Sequence, residues 1–199
     1  MDNPFAVELL EKLKQFPTAL DWCNIAVPLT KIPMNVFVLE ENTLGIDMMM
    51  LGELGRLFKA LWSKVRIKSE GDDDATHFAK VYQATTCALI FCPDCYSAWN
   101  DRKDVINYLL DASPDGEQTY KMQVVLKNEF DFINLLFTKF GKATNAWYHR
   151  KWVGMKYLEL IDWSDADEHR VMMMSHEDDV RLIMNWAEKE FAVCAKVSD

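Results

Sequence analysis

Two cysteines three positions apart have the clearest spacing for chemistry in this chain. Cys92-Pro93-Asp94-Cys95 has the spacing of a redox pair or of half a zinc site. A zinc site needs four ligands, and no second Cys-x-x-Cys or histidine pair stands at ligand spacing. A redox pair is typical of a strand-helix-strand setting, which the surrounding pattern lacks. We therefore interpret the pair as part of a structural turn and predict that it binds no metal.

A tryptophan and an arginine follow this turn, and the same pattern returns further along the chain. The segment YSAWNDRKDV (96–105) aligns with TNAWYHRKWV (144–153) at a spacing of 48 residues (147 − 99). The matched pairs are Ala98 and Ala146, Trp99 and Trp147, Arg102 and Arg150, Lys103 and Lys151, and Val105 and Val153. An arginine among apolar neighbours is costly unless it has carboxylate or carbonyl partners or extends to solvent. Because it recurs at the same place, we interpret it as a bridge between repeated units.

Helices must position these residues, because apolar side chains recur with helical spacing and glycine and proline are scarce (7 and 6 residues). Residues 24–45 are predicted to be irregular, with a short extended run at Val36–Leu39, and strands are otherwise nearly absent. The predicted helices cover residues 4–14, 46–67, 75–91, 97–110, 120–140, 145–161 and 176–194.

These elements predict one all-α domain over residues 1–199, an alpha-alpha superhelix of stacked antiparallel helix pairs similar to tetratricopeptide arrays. Within it we expect N-terminal helices and an irregular segment, then two repeats and an incomplete third. The expected boundaries are 1–74, 75–110, 120–162 and 175–199. Tetratricopeptide repeats recur at about 34 residues. Because the spacing in this chain is 48 residues, we expect the additional length of each repeat to lie in the loop around residues 113–118.

The overall composition narrows the class of protein. Lys and Arg number 22 and Asp and Glu 31, so the net charge is −9, which disfavours binding to nucleic acid. No apolar run reaches the length of a membrane span, and the first residues do not have the pattern of a signal peptide. Five cysteines, an odd number, are typical of reduced thiols. We expect a cytoplasmic protein.

The segment 145–153, Asn-Ala-Trp-Tyr-His-Arg-Lys-Trp-Val, resembles the alpha-subunit repeat of protein prenyltransferases, whose fuller form is Asn-Tyr-x-x-Trp-x-His-Arg-Arg. The segments VLEENTLGID (38–47) and CPDCYSAWNDRKDVI (92–106) also resemble the proteins that contain this repeat, and the resemblance extends over roughly residues 36–195. We interpret His149 as a packing and hydrogen-bonding residue. The repeat-motif residues are Trp99, Asn100, Arg102, Lys103, Trp147, His149, Arg150 and Lys151.

This resemblance implies an alpha-like subunit that acts in geranylgeranyl or farnesyl transfer to cysteines of a protein substrate. The implied partner is a catalytic beta subunit of the Rab geranylgeranyltransferase type, which would hold the zinc, so no cofactor is expected in this chain. In farnesyltransferase-type alpha subunits, a lysine at the place of Lys142 reaches the isoprenoid diphosphate; the alternative is a solvated turn lysine. The alternative function is a helical-repeat adaptor that binds a protein partner on its concave face without catalysis.

Overall fold

The fold is seen in a computed structural model that describes residues 3–15, 17, 19–23, 36–111 and 118–160. Within these ranges it contains six α-helices and one small sheet. The helices are α1 (Pro4–Leu13), α2 (Leu51–Val65), α3 (Asp74–Phe91), α4 (Tyr96–Asp111), α5 (Gln118–Phe137) and α6 (Thr144–Leu160). The strands are β1 (Ala19–Cys23), β2 (Phe37–Glu40) and β3 (Thr43–Asp47).

Helix starts follow the capping residues that the sequence supplies. Asn3 Oδ1 accepts a hydrogen bond from the Ala6 amide at 3.1 Å ahead of α1, and Asp73 Oδ1 accepts one from the Thr76 amide at 2.6 Å ahead of α3. Such side-chain oxygens satisfy amides that have no partner within the first helical turn. Short turns then join α3 to α4 and α5 to α6, and the helices of each pair pack against each other.

The predicted fold class is confirmed, but the expectation that strands would be nearly absent was wrong. β3 lies at the centre of the sheet, parallel to β1 and antiparallel to β2. Glu41 and Asn42 join β2 to β3 with positive φ angles of 45° and 68°, as a two-residue hairpin turn of type I′ requires. Each strand has only four or five residues, and β1 pairs with a distant segment, so hydrophobic periodicity gave little signal.

One helix boundary also differs from the predictions. The helix expected from residue 46 begins later, because Ile46 and Asp47 belong to β3 and a single 3-10 turn, Met48–Met50, precedes α2. Asp47 Oδ1 accepts a hydrogen bond from the Met49 amide at 3.0 Å and so caps that turn. The helices of the two pairs are long, since α3 and α4 have 18 and 16 residues and α5 and α6 have 20 and 17.

A continuous apolar core runs between the helices and under the sheet. Its largest fully buried apolar side chains are Leu9, Phe37, Leu44, Ile46, Leu54, Phe58, Leu89, Ile90, Trp99, Ile106 and Leu126. The sheet is also tied to the end of α5, since the Leu20 amide donates to Thr138 Oγ1 at 3.0 Å and Lys139 Nζ lies 2.8 Å from Asp21 Oδ1. The N-terminal part therefore packs directly on the second helix pair.

No helix among the described residues combines the length and the apolar character needed to cross a membrane. The predicted last helix, 176–194, and the incomplete third repeat, 175–199, lie outside the described residues, as does most of the loop at 113–118.

Candidate functional site

The two tryptophans of the repeated pattern close the turn ahead of their own helix. Trp99 Nε1 donates to the Pro93 carbonyl oxygen at 2.7 Å, and Trp147 Nε1 donates to the Gly141 carbonyl oxygen at 2.9 Å. The accepting carbonyl lies six residues earlier in both cases. The ring of Trp99 is buried in the core and that of Trp147 packs against it partly buried, and each indole uses its only polar group to satisfy the turn.

The two arginines also make the same contacts within their own helix pair. Nη1 of Arg102 donates to Thr86 Oγ1 at 2.7 Å, and Nη1 of Arg150 donates to Asn134 Oδ1 at 2.7 Å, sixteen residues earlier in each case. The Arg102 guanidinium lies 4.0 Å from the ring centroid of Tyr82, and that of Arg150 lies 4.9 Å from the ring centroid of Phe130. α3–α4 and α5–α6 are therefore two copies of one unit.

Glu129 of α5 joins the two units through a buried charged cluster. Arg102 Nε donates to Glu129 Oε1 at 2.5 Å, and His149 Nε2 lies 2.8 Å from the same oxygen. The side chains of Glu129 and His149 are 0% exposed and that of Arg102 is 1% exposed. A second ring, that of Phe132, lies 4.5 Å from the Arg102 guanidinium. We call Arg102, Glu129 and His149 the inter-repeat cluster.

The electrostatics of the inter-repeat cluster favour one ionised pair and a neutral imidazole. Burial opposes ionisation of Glu129, but Arg102 and His149 outweigh it and lower the pKa of Glu129 to about 2. Burial lowers the pKa of His149, although the hydrogen bond to Glu129 acts in the opposite direction. The carboxylate is therefore charged and the imidazole neutral near pH 7.

Two atoms of this cluster, Glu129 Oε2 and His149 Nδ1, are buried without a hydrogen-bond partner among the described residues. Because the cluster is buried, its carboxylate and imidazole cannot meet a substrate in this conformation. Its chemistry is suited to fixing α3, α4, α5 and α6 relative to one another.

A stack of rings covers the cluster. His149 stacks between Trp99, at a centroid distance of 4.4 Å, and Trp152, at 5.5 Å. The ammonium group of Lys103 lies 5.7 Å from the Trp152 ring centroid, within the range of a cation–π contact. Three of the predicted motif residues, Trp99, Lys103 and His149, are thus brought together across the boundary between the two units.

The turn that contains the cysteine pair also reaches the second unit. Asp94 accepts two hydrogen bonds from Asn145, one from its backbone amide to Oδ1 at 2.9 Å and one from its side chain to the Asp94 carbonyl oxygen at 2.8 Å.

The cysteine pair in this turn favours the thiol form. The pKa of Cys92 is raised, mainly by partial burial, and Cys95 acts in the same direction. A reactive cysteine usually has a lowered pKa in an electropositive setting.

The remaining predicted residues lie outside the cluster. Lys142 is exposed in the turn ahead of α6, Lys151 is exposed on α6, and Asn100 is partly buried on α4. None of the contacts given above for the inter-repeat cluster involves Lys142. Within the part of the chain that the structure describes, no three His, Cys, Asp or Glu side chains form a group that could hold a metal.

Sequence reasoning missed Glu129, the residue that two predicted motif residues, Arg102 and His149, both contact. One signal could have revealed it. A single carboxylate interrupts the apolar stripe formed by Leu126, Phe132, Ile133 and Leu136 on α5. A buried carboxylate requires a cation, and the repeated arginines were the available candidates.

Comparison with known proteins agrees with the repeated unit. The protein prenyltransferase alpha subunit repeat matches residues 78–109 and 126–156, which fall in α3–α4 and α5–α6. The chain is 26% identical over 103 residues to geranylgeranyl transferase type-2 subunit alpha of Dictyostelium discoideum, covering 52% of this chain and 31% of that protein. It is 27% identical over 108 residues to the subunit of the same name from Candida albicans, covering 53% of this chain and 28% of that protein. The matched region therefore spans less than a third of these relatives.

Proposed function

Because the chain carries two protein prenyltransferase alpha subunit repeats, we propose that it is an alpha-like subunit of a protein prenyltransferase. The observation that carries this proposal is the pair of consecutive repeats with the same tryptophan and arginine contacts in each. The similarity to two geranylgeranyl transferase type-2 alpha subunits points to a beta subunit of the Rab geranylgeranyltransferase type as the partner. Its setting would be the cytoplasm.

In this proposal the chemistry is divided between two chains. The beta subunit would supply zinc, which holds the cysteine of the protein substrate as a thiolate nucleophile. The thiolate sulfur forms a bond to the first carbon of the geranylgeranyl or farnesyl group, and the bond from that carbon to the diphosphate oxygen breaks. This chain would present its stacked helices to the partner and orient the protein substrate.

Lys142 is the residue of this chain that we assign to the departing diphosphate. It is exposed, and it lies in the turn directly ahead of the better-preserved motif on α6. A lysine in such a turn can extend toward a partner without disturbing the core. Its ammonium group would stabilise negative charge that increases on the diphosphate oxygens as the carbon–oxygen bond breaks.

Reconstitution with a type-2 geranylgeranyltransferase beta subunit tests the proposal. We expect the two chains to co-purify and to transfer a prenyl group to a protein substrate, whereas either chain alone is inactive. Lys142→Ala should reduce turnover by about a hundredfold while complex formation is retained, and Lys142→Arg should recover part of the activity because the charge remains. Lys127→Ala is the matched control, since Lys127 is also exposed but lies in the middle of α5.

Two results would contradict these assignments separately. Equal turnover of wild type and Lys142→Ala, in a complex that prenylates its substrate, would leave Lys142 as a solvated turn residue. Failure to form a complex with any prenyltransferase beta subunit would contradict the subunit proposal itself.

A second candidate is a helical-repeat adaptor without catalysis. It is favoured by one observation, that the ionisable side chains of the inter-repeat cluster are buried and serve to hold the helices together. Affinity purification from cytosol separates the candidates. A prenyltransferase beta subunit among the bound proteins supports the first, and reproducible binding of other proteins without it supports the adaptor.

A further inference from the structure

The outward side of α2 is positively charged, although the chain as a whole has a net charge of −9. Phe58 and Trp62 of this helix are buried in the core, and the opposite side is exposed to solvent. The exposed residues are Gly52, Glu53, Arg56, Lys59, Ala60, Ser63 and Lys64. At about 100° per residue, the three cations among them lie within an arc of roughly 140°. We call Arg56, Lys59 and Lys64 the basic face.

The basic face has no carboxylate within ion-pair distance among the described residues, Glu53 included. Other exposed cations of the described ranges do form ion pairs. These are Lys14 with Glu11, Arg66 with Asp101, Lys68 with Asp74, Lys80 with Asp72, Lys127 with Asp131, and Lys156 with Glu159. Carboxylates are not in short supply, because the chain has 31 Asp and Glu against 22 Lys and Arg.

The stability of α2 accounts for one of the three charges but not for the other two. Lys64 lies in the last turn, where a cation offsets the helix dipole. Arg56 and Lys59 lie in the middle of the helix and are three residues apart, a spacing at which like charges repel. An anionic group bound beside them would relieve that repulsion. The arrangement therefore favours a binding role for the basic face.

The shape of this surface suits a helical partner segment. Between the long cationic side chains lie the short residues Gly52, Ala60 and Ser63, and a Cβ added at Gly52 would meet nothing within 4 Å. Small residues allow two helices to approach closely. Ile67, just beyond the end of α2, is 77% exposed and offers an apolar contact at one end of the surface.

The length of the basic face matches carboxylates four residues apart on a helix. Arg56 and Lys64 are eight residues apart, which is roughly 12 Å along the axis. Three carboxylates at every fourth position of a partner helix span the same distance. A net charge of −9 opposes binding to nucleic acid or to an anionic membrane surface, which are extended polyanions. A short acidic segment of a protein meets the basic face without the rest of the surface.

We propose that the basic face of α2 binds an acidic helix of a partner protein, with Asp or Glu at about every fourth position. α2 precedes both prenyltransferase alpha subunit repeats, which begin at residue 78, so this interaction goes beyond the function proposed above. Charged pairs at such an exposed surface contribute through complementarity, and their affinity depends on salt.

Binding of a synthetic helical peptide with glutamate at every fourth position tests this proposal, measured with the full chain by fluorescence anisotropy. The double variant Arg56→Glu/Lys59→Glu should weaken binding by about tenfold or more, because attraction becomes repulsion. Lys14→Glu/Lys127→Glu is the matched control, since it changes the net charge equally at exposed positions on α1-side and α5 surfaces, and it should weaken binding by less than about threefold. The same peptide with glutamine in place of glutamate should not bind.

Three results would overturn the proposal. The first is the absence of peptide binding to wild type at low salt, and the second is an equal loss in the two double variants. The third is tighter binding to vesicles containing phosphatidylserine or to a short DNA duplex than to the peptide, lost in Arg56→Glu/Lys59→Glu, which would assign the basic face to a phosphate surface. If the glutamate variant does not fold, Arg56→Gln/Lys59→Gln takes its place, and unchanged peptide affinity in that variant excludes the site.

Discussion

Arg102 and Arg150 occupy the same position in two copies of one unit, and among the described residues a second unit follows only that of Arg102. Both donate to a polar side chain sixteen residues earlier, and both lie over an aromatic ring of their own helix pair. Arg102 in addition receives Glu129 from the following unit, and Phe132 of that unit covers it from a second direction.

This comparison distinguishes the contacts that form one unit from the contacts that join two units. The contacts that the arginines share lie within one helix pair and complete its core. The carboxylate of Glu129 comes from the next pair, so the charge of Arg102 is compensated only after the two pairs have packed. Desolvation of both groups makes the join specific, because either charge alone would be costly to bury.

The largest effects are expected from the two tryptophans, which test whether both units contribute equally to stability. Trp99→Ala should lower the free energy of unfolding by about 3–5 kcal/mol, because the ring is 1% exposed and packs on His149 at the join. Trp147→Ala should cost less, because Trp147 is only partly buried, although it stacks on Phe137. Thermal and urea denaturation measure both changes.

Tyr148→Ala is the control for these variants. Tyr148 is 66% exposed on the same helix as Trp147, so its loss should change stability by no more than about 0.5 kcal/mol. An unchanged melting temperature for Trp147→Ala would contradict the packing described for the second unit.

A smaller effect on the free energy of unfolding is expected when the pH is lowered. In the folded state the pKa of His149 is lowered, so the unfolded chain binds more protons and stability falls as pH decreases through about 6.5. The slope attributable to one such group is at most about 1.4 kcal/mol per pH unit. The pKa of Glu129 is lowered to about 2, so a second loss begins only below about pH 4.5. His149→Gln should flatten the dependence between pH 7.5 and 5.5, measured by denaturation at each pH.

His77→Gln provides the comparison, because His77 lies outside the inter-repeat cluster on α3. Its pH dependence should match that of wild type. A wild-type slope in His149→Gln would show that another group titrates and that His149 does not link the two units to pH.

The smallest effect concerns the turn between α3 and α4. Asp94→Ala removes acceptance of the Asn145 amide hydrogen bond. Because Asp94 is exposed, we expect the free energy of unfolding to fall by about 0.5–1 kcal/mol, measured by urea denaturation.

Replacing both Cys92 and Cys95 with serine should leave the metal content of the purified protein unchanged. Stoichiometric zinc that is lost on this replacement would contradict the interpretation of the pair as part of a structural turn.

The helices and the repeated motif could be predicted because their signals are local. Asn3 and Asp73 cap helices within three residues, and the Trp-x-x-Arg pattern occurs twice in the sequence. β1 and Glu129 could not be predicted in the same way. β1 is five residues long and pairs with β3, which is not adjacent to it in the sequence. The role of Glu129 depends on its contact with Arg102, which lies on another helix.

The most direct test of the central claim compares coupling at the join with coupling inside a unit. One double-mutant cycle combines Arg102→Met with Glu129→Gln, and the other combines Arg150→Met with Asn134→Ala. We predict a coupling energy of about 2–3 kcal/mol for the first pair, which is buried, charged and shared between units, and below about 1 kcal/mol for the second, which is a neutral acceptor within one unit. Equal couplings, or a first coupling below about 0.5 kcal/mol, would contradict the claim that the Arg102–Glu129 pair joins the two repeats.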